Sequence, residues 1–521
     1  MTSIANAADI VRKYAAEKGA ATMVSMGDQK TTWAQGDARS SQVAQALVAA
    51  GVKPQERIAF LEKNSLEYFE VLFGSSKANV VDVSVNWRLA PPEILYTVND
   101  SQAKVLIVGK DFFAAIEQIE SELTTVETII AIGEHPRWPN YNDWIGAHEA
   151  VDPHAPTSLS DIAFQLYTSG TTGLPKGVMT ANSSLFKLLE NVLGPWGMDA
   201  TSKNIATMPL FHIGGSGWAL AGMFIGAETL LVRDPMPGVL LDLIRVDKAT
   251  NAFFVPALLA FMAMVPGAAD GDYSSMRSVV YGASPITNEV LMASMATLKC
   301  PHIQVFGMTE TTGAITELSP QDHDPSGPRS HLLRSAGKPY PWVEMKIVDV
   351  DSGSDMATGD VGELWTRSEQ NMNGYWNKPE ETAKTITEDG WLKTGDAGYL
   401  DEEGYLFLTD RVKDMIVSGG ENVYPAEVEN ALASFPGIAE VAVIGVPSER
   451  WGETVKAVIV LKAGATAEPA AIMAHAKTLL AGYKCPTSVD FIEALPRNPT
   501  GKVLKKDLRE PYWAGQARRI N

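Results

Sequence analysis

One run of eleven residues constrains this chain more than any other: Tyr167-Thr168-Ser169-Gly170-Thr171-Thr172-Gly173-Leu174-Pro175-Lys176-Gly177. Ahead of it, Ile162-Ala163-Phe164-Gln165-Leu166 is a short apolar segment that reads as a buried strand. Glycines let backbone N–H groups approach an anion closely, hydroxyls add donors, and a lysine adds a point charge. The loop therefore has the chemistry of a phosphate cradle. A Walker A loop is excluded, because Gly173 is followed by Leu-Pro-Lys and not by the spacing that ends in Gly-Lys-Ser/Thr. A shorter Gly/Ser/Thr run would read as a flexible surface loop.

Strand and helix patterns alternate around this loop. Thr31–Gly51 reads as a helix with an alanine-rich face closed by a glycine, Arg57–Leu61 as a strand, and Ser65–Ala78 as a helix carrying Phe69, Leu72 and Phe73. Val80–Val85 and Lys104–Val108 are further buried strands, separated by a helix over Pro91–Asn99. This alternation predicts a doubly wound α/β sheet. The length, 521 residues, calls for one large and one small domain. The uncharged stretches Asn204–Ala227 and Ala252–Ala269 are broken by proline or glycine and read as core, not as membrane spans.

Composition narrows the partners. A net charge of −19 excludes nucleic acid and anionic membranes as partners held by bulk electrostatics, so any polyphosphate must be held by local positive charge. The two cysteines, Cys300 and Cys485, have no metal or disulfide spacing and fit a reducing cytoplasm. No HExxH, no G-x-S-x-G elbow and no strand-borne G-x-G-x-x-G occurs, and Asp322-His323-Asp324 reads as a solvated acidic loop.

Further clusters carry chemistry. Met208-Pro209-Leu210-Phe211-His212-Ile213-Gly214-Gly215 sets a histidine among apolar residues and glycines. Val279–Pro285 is a strand entering a tight turn. In Gln304-Val305-Phe306-Gly307-Met308-Thr309-Glu310-Thr311 the glycine permits close approach, Thr309 offers a hydroxyl to phosphate, and Glu310 offers a hard oxygen to Mg²⁺. Alone, Thr-Glu-Thr would read as a helix cap. Asp396 is suited to clamp ribose hydroxyls, and Arg411 lies fifteen residues beyond it. Val417–Pro425 is a glycine loop, and Leu495–Lys502 places a lysine on a glycine turn.

In this order and spacing the motifs resemble, over nearly the whole chain, the adenylate-forming superfamily of acyl-CoA synthetases, peptide-synthetase adenylation domains and firefly luciferase. The resemblance is greatest to bacterial fatty-acyl-CoA synthetases. It implies an α/β fold with a large N-terminal domain (1–411), built of two doubly wound sheets and a small β-barrel subdomain. A smaller mobile C-terminal α/β domain (412–521) would follow, hinged at Lys413. The implied activity is ATP-dependent acid–CoA ligation through an acyl-adenylate, with ATP, Mg²⁺ and CoA as cofactors and a medium- or long-chain aliphatic acid as substrate.

The roles implied by the resemblance map onto this sequence as follows. Lys502, Thr168, Lys176 and Glu310 would be catalytic, with Glu310 on the metal. The nucleotide would be held by Thr168, Ser169, Gly170, Thr171, Thr172, Gly173 and Lys176, by Gly282 and Ala283, by Gly307, Met308 and Thr309, and by Asp396 and Arg411. Gly419 and Gly420 would face the CoA tunnel. His212, Gly214, Gly215, Ser216, Trp218, Tyr281 and Val305 would line the acyl pocket. Gly214 and Ser216 stand where coumarate ligases and some long-chain synthetases carry bulky or gating side chains, and Val305 stands where coumarate ligases carry glycine. Aryl or steroid acids, a carrier-protein acceptor, and a non-catalytic acyl-adenylate-binding protein are the alternatives. A homodimer, a cytoplasmic location and the absence of a transmembrane segment complete the expectations.

Overall fold

The computed structural model describes residues 4–169, 174–284, 286–349, 352–360, 362–411, 416–419, 421–423, 425–496, 503 and 505–514. Two mixed sheets form the large unit. In the six-stranded sheet the order is Thr128–Ile132, Val105–Gly109, Arg57–Leu61, Val81–Ser84, Ile162–Ser169 and Pro175–Ala181, parallel throughout except for the last strand. The nine-stranded sheet runs parallel from His302–Met308 through Ser278–Gly282, Asn251–Phe254, Lys203–Ala206 and Glu228–Leu231 to Thr22–Met26, and is bordered by antiparallel strands at both edges. Strands buried on both faces need near-continuous apolar sequence, which is why Arg57–Leu61 and Val105–Gly109 are buried along their whole length.

The helix expected over Thr31–Gly51 spans Trp33–Ala49 and starts at a capping box. The Thr32 hydroxyl accepts from the Gln35 N–H, and the Gln35 side chain accepts from the Thr32 N–H. The other early elements lie within a residue or two of their expected bounds, the difference being the frayed ends.

Two expectations are corrected. The segment expected to form a small barrel is a four-stranded antiparallel meander, Glu344–Val348, Gly362–Arg367, Leu392–Leu400 and Leu406–Arg411, with no ladder joining its first and last strands among the described residues. Four strands are too few to close around a filled interior. Instead, one face packs Ile347, Leu364 and Leu406 against Phe306 of the large sheet. His323 is buried, not solvated: its ring meets the Tyr281 hydroxyl at 2.9 Å and the Ser319 carbonyl at 2.7 Å. Local acidity hid the contact, which spans 42 residues.

Among the described residues, the strands beyond Arg411 pair only with one another. The long hairpin Ile438–Ser448 and Gly452–Leu461, with Ser488–Phe491 and two short strands, carries the helices Pro425–Ala433, Pro469–Leu479 and Lys505–Trp513. Among the described residues no helix is long and apolar enough to cross a membrane.

One buried acid gives the large unit a measurable signature. Asp82, in the middle of the six-stranded sheet, accepts from the Ser84 hydroxyl at 2.7 Å, while its other oxygen has no partner. Burial pushes its carboxyl up to about 7. The folded value is raised above the unfolded one, so the stability tied to this group is full at low pH and is lost as pH rises through about 7. Asp82→Asn removes the titration. Urea midpoints of variant and wild type should therefore diverge in the variant's favour as pH rises from about 4 to about 7, by up to about 1.4 kcal/mol per unit, and run parallel above that.

Candidate active site

Loops leaving the carboxyl ends of five parallel strands converge on one cavity of about 310 Å³, the place where open α/β sheets bind ligands. The six-stranded sheet contributes Asn86 and Thr168. The nine-stranded sheet contributes Met208, Ala283 and Thr309. Ala283 holds φ at +64°, in the left-handed region that costs a side chain energy, at the point where its strand turns toward the cavity.

At one end of the cavity lies the hydroxyl-rich segment. Its strand does not stop at Leu166: it continues to Ser169, and Pro175–Ala181 returns antiparallel, with Thr168 opposite Lys176. Tyr and Thr suit a pleated ladder, and the return strand satisfies their backbone groups. Gly170, Thr171, Thr172 and Gly173 lie outside the described residues, as does the Ser169 side chain. Lys176 is buried; its Nζ donates to Glu381 Oε2 at 2.5 Å and sits 4.7 Å from the centre of the Tyr375 ring. Lys176, helped by Lys384, holds the Glu381 carboxyl at about 2.

Glu310 closes the strand His302–Met308 with a single 3₁₀ turn, Thr309–Thr311. Its Oε1 accepts from the Thr168 hydroxyl at 3.1 Å and from the Tyr375 hydroxyl at 3.0 Å, and its carbonyl accepts from the Met372 N–H. Burial raises its pKa, against the opposing pull of these hydroxyls and of Lys176. Gly307 is required because a Cβ there would lie 1.9 Å from the Gly313 carbonyl oxygen. Met308, Thr309 and Glu310 all line the cavity, as does Asp396, whose strand register partner is Arg411. The side chain of Arg411 lies outside the described residues.

The opposite end is apolar, and helical periodicity sorts the residues expected there. His212 caps the helix Ile213–Phe224, so Gly214, Gly217 and Trp218 share the face that lines the cavity. Gly215 and Ser216 do not line it. A Cβ on Gly215 would strike the Pro209 carbonyl at 2.1 Å, and the Ser216 hydroxyl bonds back to the His212 carbonyl at 3.1 Å. Their glycine and small-residue character serves the turn of the helix. Tyr281 and Gly282 are also absent from the lining. The Tyr281 hydroxyl is taken by His323, and Gly282 is pressed against the Val305 carbonyl. Val305 does line the cavity, together with Trp196, Phe253 and Val280, which carried no sequence signal beyond apolarity. The i, i+3 spacing of Gly214 and Gly217 was the legible sign of an open helix face.

The small unit reaches the same cavity. Val417 and Glu421 flank Gly419 and line it, as do Tyr483 and Lys484. Glu421 bonds Arg88 of the large unit at 2.7 Å and lies 3.4 Å from the His212 ring. Burial acts against the Glu421 charge, but His212, Arg88 and Lys484 more than offset it and hold the carboxyl below its ordinary range. Lys413, Gly420 and Lys502 lie outside the described residues.

The residues present fit a magnesium–nucleotide. Glu310 is a buried hard-oxygen donor whose only side-chain partners at Oε1 are two hydroxyls, and no group of three or more metal-ligating side chains exists among the described residues. A cation there would take one carboxylate and complete its shell with phosphates and water, the usual magnesium arrangement.

Comparison with known proteins agrees with this geometry. Residues 11–376 match the AMP-binding enzyme family and residues 427–502 its C-terminal domain. The fatty acid–[acyl-carrier-protein] ligase ScoC of Streptomyces coeruleorubidus is 40% identical over 94% of this chain and 93% of its own. The long-chain-fatty-acid–CoA ligase FadD13 of Mycobacterium tuberculosis is 34% identical over 94% of both. The amide bond synthetase McbA from Marinactinospora thermotolerans superposes with a TM-score of 0.87 at 29% identity, covering 97% of this chain and 99% of its own. The fold and site define an adenylate-forming enzyme, an AMP-forming acid–thiol ligase that uses ATP, Mg²⁺ and CoA. The chain belongs to the AMP-binding enzyme family.

Glu310→Gln keeps the shape and both hydroxyl partners' neighbour but loses the charge. Pyrophosphate release should fall by about 10²–10³, the usual cost of one preorganised electrostatic partner. The magnesium concentration for half-maximal rate should rise in parallel, measured by titrating Mg²⁺ at fixed ATP.

Proposed function

We propose that the enzyme activates a medium- or long-chain aliphatic acid and transfers it to CoA. The observation that carries this reading is the cavity itself. Its lining combines polar groups at Thr168, Thr309 and Glu310 with an apolar set at Gly214, Gly217, Trp196 and Phe253. In the first half-reaction a carboxylate oxygen attacks the α-phosphorus of ATP, and pyrophosphate leaves with the electron pair of the broken P–O bond. The obstacle is an anion approaching a polyanion, and Lys176 and the hydroxyls of Thr168 and Thr309 supply the opposing charge and dipoles. Asp396 accepts the ribose hydroxyl protons. Bound at Glu310, Mg²⁺ would neutralise phosphate charge. Lys502, by its place in the motif order, serves the carboxylate and α-phosphate in this half-reaction only.

In the second half-reaction a thiolate attacks the acyl carbon and AMP leaves. The placement of Val417 and Glu421 on the cavity wall supports an arrangement in which the glycine loop faces the thiol's path. The boundary between 411 and 412, with Lys413 as hinge, belongs to the same proposal. It is supported by the change of sheet there and by the gap between the two family matches. A carrier-protein thiol is the second reading, favoured by the ScoC likeness. The free cysteines and the use of ATP and CoA support a cytoplasmic enzyme, and sedimentation of the purified protein tests the expected homodimer.

Chain length and acceptor are the deciding measurements. Each buried methylene contributes about 0.8 kcal/mol, so four add about 3 kcal/mol, or roughly a hundredfold in kcat/KM between hexanoate and decanoate. Gly214→Trp, whose side chain would enter beside Phe253, should collapse the decanoate-to-butyrate ratio. An unchanged ratio would place the acyl chain elsewhere. Comparing CoA with a phosphopantetheinylated carrier protein decides the acceptor. Lys502→Ala should lose about 10²–10³ in pyrophosphate release while still converting preformed acyl-adenylate to thioester.

A further inference from the structure

Between Asn86 and Glu93, eight residues of the large unit carry three side chains bonded to the small unit. Asn86 Nδ2 donates to the Tyr483 hydroxyl at 3.3 Å, Arg88 pairs with Glu421, and Glu93 Oε1 receives Lys484 Nζ at 2.9 Å. The third contact differs from the others in burial. The side chains of Lys484 and Glu93 are 2% and 7% exposed, and Lys484 Nζ also donates to Glu427 Oε1 of its own unit at 2.7 Å. Glu93 is used a second way. Its Oε2 accepts from the backbone N–H of Ala481 in the small unit at 2.6 Å and from that of Ala90 at 2.9 Å, where it closes the start of the helix Pro91–Ser101.

A single carboxylate thus receives a buried lysine and a buried backbone N–H from the other unit. Both come from the short segment Ala481–Lys484, whose Tyr483 and Lys484 form part of the cavity wall. Burial acts against the lysine's charge, and Tyr483, Glu427 and Glu93 outweigh it. A buried pair contributes little net stability when intact, but losing one partner strands the other, so such pairs act as registry devices. If the units separated, Lys484 would keep Glu427, whereas Glu93 would keep only its own helix. The pair is therefore specific to this arrangement.

We propose that Glu93 and Lys484 are positioning residues for the thiol half-reaction: they clasp the small unit in the arrangement that brings Val417, Glu421 and Tyr483 to the cavity, and they play no part in adenylate formation. This rests on the reading of the enzyme as an acid–thiol ligase whose second step uses this arrangement. Glu93 does not line the cavity; the clasp sets the fraction of enzyme poised for thiol attack.

Glu93→Gln tests it, since glutamine also closes a helix start and keeps the side chain's shape. Single-turnover pyrophosphate release from ATP and decanoate should stay within about twofold of wild type. Thioester formation from preformed decanoyl-adenylate and CoA should fall about tenfold or more, in kcat rather than in the KM for decanoyl-adenylate. Glu427→Gln, which leaves the inter-unit pair in place, should keep both steps. Equal loss in both half-reactions, or no loss in the second, overturns the clasp. Wild-type enzyme that makes adenylate but no acyl-CoA overturns the CoA reading instead. In that case small-angle scattering of ligand-free wild type and Glu93→Gln decides: the clasp requires a shifted distance distribution, and identical curves overturn it.

Discussion

The site depends on one buried carboxylate. Glu310 follows a strand of the nine-stranded sheet, Thr168 ends a strand of the six-stranded sheet, and Tyr375 lies on the connection between the second and third strands of the meander. The three meet at a single oxygen. The two sheets share one large apolar core, but apolar contact is non-directional and leaves small relative shifts open. A charge that cannot be left without donors in a dry interior removes that freedom. The hydroxyl proposed for phosphate, the carboxylate proposed for magnesium and their aromatic support are thereby fixed together.

Much of this was legible in the sequence because it was local. The alternation of apolar strands with amphipathic helices gave a doubly wound sheet, the family resemblance gave the second, and the Gly/Ser/Thr run named its own chemistry. The limits of that reading were also physical. Gly214, Gly215 and Ser216 look alike in a line of text, but a helix turns about 100° per residue and sends only the first to the cavity. Tyr281 was expected in the acyl pocket by the resemblance, yet a histidine 42 residues away claims its hydroxyl. Trp196 and Phe253 shape the acyl end as ordinary core residues do, by bulk, and bulk carries no pattern. Glu93 and Lys484 are separated by 391 residues, and only folding makes them neighbours.

The two units divide labour in a way the contacts make physical. Among the described residues, those proposed to hold the nucleotide's phosphates and ribose, Thr168, Lys176, Thr309, Glu310 and Asp396, belong to the large unit. The small unit adds Val417, Glu421, Tyr483 and Lys484 along one wall. Its attachment there is polar, made of Arg88, Asn86 and Glu93 with their partners. Polar contacts can be exchanged for water or for other partners at small net cost, unlike a greasy seam. An enzyme that must offer one nucleotide pocket to two successive reactions needs such a removable wall.

The ion pair between Lys176 and Glu381 carries a last consequence. If Lys176 meets phosphate as proposed, a carboxylate tethered 2.5 Å from its ammonium would act as a resident competitor at very high local concentration. A stray monovalent anion, offering no more charge than that competitor, would not displace it. A polyphosphate, with several charges and many acceptors, would. Once that guest was cleaved, the carboxylate would still be within reach to reclaim the ammonium and hasten departure. Such a lysine would favour turnover over tightness: the enzyme would carry its own eluent.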